Sequence, residues 1–128
     1  MSRWSFSQIV GALYLIAVCM LCIRAGEPGD PQWWLMAVPM AAWIASPVVG
    51  GLYLGRRFRS GPARILFASL LAVIAVVGFA LQWYTMFIGP SDAQNALVLV
   101  FVPLYQWAGV MAGLALAWLL ARARGTNR

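Results

Sequence analysis

Histidine is absent from this chain, acidic residues number three and cysteines two. Without an imidazole there is no side chain to ligate a metal through nitrogen or to exchange a proton near neutral pH, so His-ligated metal centres and His-based acid or base catalysis are excluded. The three acids, Glu27, Asp30 and Asp92, all fall in short polar connections, and no Asp, Glu, Lys or Arg interrupts the long apolar runs between them. Proton-coupled pumps and small multidrug exporters depend on ionisable groups within the membrane, so transport of that kind is not expected. Charge of either sign is scarce: 9% of residues are charged, 63% are apolar, and the mean hydropathy is +0.83. No water-facing surface of a small domain has this composition.

What is present is four apolar runs, roughly Trp4 to Ile23, Trp33 to Leu54, Ile65 to Ile88 and Ala96 to Leu120. Each reaches the ~20 residues that carry a helix across a bilayer. They are continuously apolar, whereas barrel strands alternate over about ten residues. The reading is an all-α integral membrane protein: one domain over residues 1–128, with transmembrane helices at about 4–23, 33–54, 65–88 and 96–120 in an up-down bundle. A basic tail, residues 121–128, follows.

Arginine sets the expected orientation. Arg3 precedes the first run, Arg56, Arg57, Arg59 and Arg64 fill the second connection, and Arg122, Arg124 and Arg128 follow the fourth run. In the first connection Arg24 is offset by Glu27 and Asp30, and the third holds only Asp92. By the positive-inside rule both termini are cytoplasmic, in a bacterial inner membrane. The +6 formal charge is therefore a topology signal rather than a footprint for nucleic acid. The cluster GRRFRSGPAR, with Arg56, Arg57, Arg59 and Arg64, is also placed to meet anionic lipid head groups. Arg3 and the apolar stretch after it have the look of a secretory signal, but no small-x-small cleavage site separates that stretch from Arg24, and Val18 and Leu21 precede the cysteines where a lipoprotein needs a small residue. The first segment is expected to remain as a helix.

Punctuation supports these spans. Asp30 followed by Pro31 puts a capping residue before a first-turn proline, and Ser91 with Gln94 matches a capping box. Trp33, Trp34, Trp83 and Tyr84 fall at the expected outer interface and Trp4, Tyr53 and Trp118 at the inner one, as aromatic belts do. VPMAAW at 38–43 returns as VPLYQW at 102–107, each after an Asp-x-Gln, at Asp30 to Gln32 and Asp92 to Gln94. Two hairpins of like orientation, related by duplication about an axis along the membrane normal, would produce this echo, and so would coincidence in apolar sequence.

Pro39, Pro47 and Pro103 each remove a backbone donor and should bend the second and fourth helices. Bent helices can line a cavity, for which Pro47, Pro103 and Tyr105, with Gln106, are the candidates; they also occur in plain bundles. For helix packing and partner contact, Gly109, Gly113, Ala117 and Ala121 recur every four residues with Gln106 on nearly the same face, and Ala42, Ser46 and Gly50 form a second small-residue stripe. Gly51 and Gly55 add a GxxxG. The two stripes are expected to meet each other, within one chain or across a dimer, and Val110 is expected to face lipid. Tyr14, Gln8, Gln82, Tyr105 and Gln106 are the sizeable polar side chains at depth, and they suit packing or a neutral ligand better than chemistry.

The pair Cys19 and Cys22, in CMLC, on four helices resembles the quinone-linked thiol oxidases. The likeness covers four residues and a helix count, and the chain lacks the second cysteine pair that such enzymes use to pass electrons onward. Reactive pairs also sit at helix N-termini, where the dipole favours thiolate, and these sit toward a C-terminal end. Two packing cysteines are the plainer reading. The expectation is thus a small polytopic protein that is not an enzyme and holds no cofactor or metal: an accessory or interaction protein, such as a complex subunit or an immunity-type protein, with the bilayer and a membrane protein or a second copy as partners. The alternatives are a passive small-solute conduit or transporter component, and a membrane thiol-redox protein using Cys19 and Cys22.

Overall fold

Where water is scarce every backbone N–H and C=O needs a partner within the chain, and a helix supplies those partners locally. Each apolar run accordingly forms one helix. The structure, a computed structural model, describes residues 6–58, 61–89 and 94–125. They form α1 (Phe6–Ala25), α2 (Pro31–Gly55), α3 (Pro62–Phe87) and α4 (Asn95–Gly125). All four are long and apolar enough to cross a membrane. Arg3, Trp4, Arg59, Ser91, Asp92 and Arg128 lie outside the described residues, and with them the Ser91 capping box.

Helix ends follow local chemistry more closely than hydropathy. Asp30 caps α2 as expected: its backbone is extended, Oδ1 accepts the Gln32 N–H at 2.9 Å, and Pro31 takes the first turn, where a missing donor costs nothing. Trp34 Nε1 donates to the Pro28 carbonyl at 3.1 Å and ties the preceding connection to the helix. α3 begins at Pro62, earlier than the apolar run, because Gly61 at φ 88° adopts the left-handed conformation that lets the chain turn into it. Arg64 is thus inside the first turns of α3, and α4 runs on through Arg122 and Arg124, cations that suit a helix C-terminus.

α4 packs most extensively on α3 and next on α2, and α1 packs on α2 and only slightly on α3. The pairings of Gly113 with Phe67 and of Gln106 with Ile74 run α3 and α4 antiparallel. Those of Trp43 with Val100 and Ser46 with Trp107 run α2 and α4 parallel. The core is divided. Ala63, Phe67, Leu71, Val110 and Ala117 form one cluster between α3 and α4, and Val18, Ile44 and Ala45 form another between α1 and α2.

The buried seam of α4 is Pro103, Gln106, Val110, Gly113 and Ala117. This corrects the expected four-residue stripe. A strict repeat of four rotates about 40° per step around the helix, whereas alternating steps of three and four stay on one face. Gly109 is therefore only half-buried, Ala121 is exposed, and Val110, expected to face lipid, is 0% exposed.

Candidate functional site

The α4 seam meets α3, not α2 as the paired stripes suggested. Gly113 lies against Leu70 and Phe67, and Gly109 against Ile74. Gln106 Nε2 donates to the Ile74 carbonyl at 3.0 Å. A Cβ on Gly78 would run into that amide, so the absence of a side chain at 78 is what admits Gln106 to the α3 backbone. Gly78 was missed in the sequence because it stands alone, with no small-residue partner at the packing spacing.

α2 reaches α4 through tryptophans. Trp107 Nε1 donates to Ser46 Oγ at 2.9 Å, and the Trp107 ring fills the space beside Gly50. Ser46 Oγ in turn donates to the Trp43 carbonyl at 2.8 Å, the acceptor that Pro47 leaves without its helical N–H. Trp43 Nε1 crosses the other way to the Val100 carbonyl, one residue past the acceptor that Pro103 frees, at 3.1 Å. The two tryptophans of the V-P-x-x-x-W echo thus each bond the opposite helix. Ser46 and Gly50 belong to this joint; Ala42 does not and is exposed. Gly51 and Gly55 face Leu71 and Phe67 of α3.

Three polar side chains buried in the bundle have groups left over. Gln82 of α3 is fully buried, and among the described residues neither atom of its amide has a hydrogen-bond partner. Tyr14 of α1 lies beside Gln106 but without the geometry of a well-formed hydrogen bond, so that among the described residues Tyr14 Oη and Gln106 Oε1 are also unsatisfied. Buried polar atoms of this kind are uncommon, since each forfeits its hydration. Gln8 and Tyr105 are not among these buried groups: Gln8 is exposed, and Tyr105 is 73% exposed.

Among the described residues, two cavities beside the core are lined by none of Pro47, Pro103, Tyr105 and Gln106. Pro47 and Pro103 are fully buried in the helix packing. The larger, about 580 Å³, opens where α1 and α3 diverge; Val10, Val48, Leu52, Phe67 and Ala72 contribute to its apolar wall, and Arg56 and Arg64 also line it. Arg57 is exposed and not part of it. The smaller, about 250 Å³, lies between α1 and α2 and is lined by Cys19, Cys22, Trp33 and Trp34 among others. Cys19 is exposed and Cys22 half-buried, both as free thiols. Comparison with protein-family models, with characterised proteins and with solved structures finds no match for this chain.

Proposed function

We propose that this chain is an accessory or interaction protein of a bacterial inner membrane, an up-down bundle with both termini in the cytoplasm and no chemistry of its own. The observation that supports it is the uneven sharing of the core. α1 buries only Val18 and Leu21, while Ile9, Leu13, Ile16 and Met20 form an exposed aliphatic stripe at helical spacing. The other three helices are pinned to one another by Gln106, Trp43 and Trp107. A helix held with so little of its surface has that surface to offer another membrane protein, where association rests on close packing.

Photo-crosslinking tests this in membranes. A crosslinker at Leu13 or Ile16 is expected to give a discrete protein adduct, and one at Val76 on the exposed side of α3 is not. Lipid adducts alone from all three positions would sink the proposal.

The unsatisfied polar atoms of Tyr14, Gln82 and Gln106 favour a second reading, a passive route for small neutral solutes through the bundle. Reconstituted vesicles would then pass such solutes, and Gln82→Leu would stop them. On the duplication of the two hairpins, the tryptophan exchange is reciprocal but not symmetric: one indole takes a backbone carbonyl, the other a hydroxyl.

A further inference from the structure

We propose that the cleft between α1, α2 and α3 at the arginine-bearing end binds one anionic phospholipid of the adjacent leaflet, its acyl chain in the cleft and its phosphate at Arg56 and Arg64. This rests on the membrane reading above and adds a ligand to it.

Three features carry the proposal. The first is shape: the cleft of about 580 Å³ exists because α1 packs on α2 and hardly touches α3, so its side lies open to the surroundings of the bundle. The second is length. Along α3 its lining runs from Arg64 to Ala75, a rise of about 16 Å at 1.5 Å per residue, close to the ~15 Å that half a hydrocarbon core spans. A chain entering at the arginines would thus be sheathed to the bilayer midplane. The third is the order of chemistry along that length. Phe6, Val10, Val48, Leu71, Ala72 and Ala75 present apolar surface, whereas Arg56 follows the last turn of α2 and Arg64 occupies the first turns of α3. Two guanidiniums at the end of an apolar slot suit an anionic head joined to a hydrocarbon tail, and guanidinium matches phosphate with paired donors. A second protein helix would be a poor occupant, since the cleft is stopped by charge at one end.

Native mass spectrometry of the full chain, released from nanodiscs of mixed phosphatidylglycerol and phosphatidylcholine, tests this. The wild type should retain one phosphatidylglycerol with a preference on the order of tenfold over phosphatidylcholine. The double variant Arg56→Gln, Arg64→Gln should hold the two lipids equally, and Arg57→Gln should keep the preference. Ala72→Phe, at an exposed position on the cleft wall, should lose the retained lipid, which keeps the proposal testable should the double variant fail to fold. Equal retention of both lipids by the wild type would overturn the proposal, as would a preference that survives Arg56→Gln, Arg64→Gln, or a dimer in place of a lipid that Ala72→Phe abolishes. Failure of the chain to sediment with membranes would overturn the membrane reading as well, whereas sedimentation without lipid preference would overturn this inference alone.

Discussion

The Gly78 and Gln106 pair shows how one missing methyl decides a contact between helices. Gln106 reaches the Ile74 carbonyl only across the bare backbone at 78. Gly78→Ala should therefore displace the amide, leaving more buried polar atoms unpaired at a cost of about 1–3 kcal/mol. In a Gln106→Ala background the same substitution should be nearly neutral. Thermal unfolding of the four proteins in detergent gives the coupling, expected to exceed about 1 kcal/mol; additivity would mean that the glycine serves something other than the amide. At this scale the sequence was half legible. Gln106 and Gly113 could be picked out as packing residues by type and spacing. Gly78, Val110 and the burial of Gln82 could not, because which face of a uniformly apolar helix turns inward depends on its neighbour, and the residues themselves carry too little contrast to mark it.

At the scale of the helix, the lesson is one of phase. All four helices were readable from run length, and the Asp30 cap from its own residue and Pro31. The pairing of faces was not: a four-residue repeat read as a straight stripe drifts round the helix, and the seam that forms takes in Val110. Leucine substitutions separate the two readings. Gly113→Leu should destabilise the bundle, since Phe67 and Leu70 already lie at ordinary contact distance from the place where a Cβ would stand. Val110→Leu should cost about 1–3 kcal/mol by overpacking a closed site. Ala112→Leu, on the exposed side, should change stability by less than about 0.5 kcal/mol. Loss of helix packing, followed by the unfolding temperature in a fixed detergent, checks all three, and a silent Val110→Leu would contradict the seam.

For the whole molecule, the arginine distribution predicts that alkaline phosphatase fused after the last residue is inactive and a fluorescent protein fused there is bright. The reverse pair of results would invert the bundle and place the arginine-lined cleft on the opposite leaflet. The overall plan of four helices was legible because composition alone forces it. The cleft was not, since it arises from the divergence of α1 and α3, which no local pattern encodes. The joint between α2 and α4 also bears on how the chain is made. Synthesis delivers the first hairpin before the last helix, so the Trp43 indole is made before Val100 exists to accept from it, whereas Ser46, whose hydroxyl donates within α2, waits for Trp107 only as an acceptor. Until α4 arrives, the half-made chain carries one unpaired indole donor on α2, a chemical mark by which a truncated or stalled chain differs from a finished one and by which quality control could tell them apart.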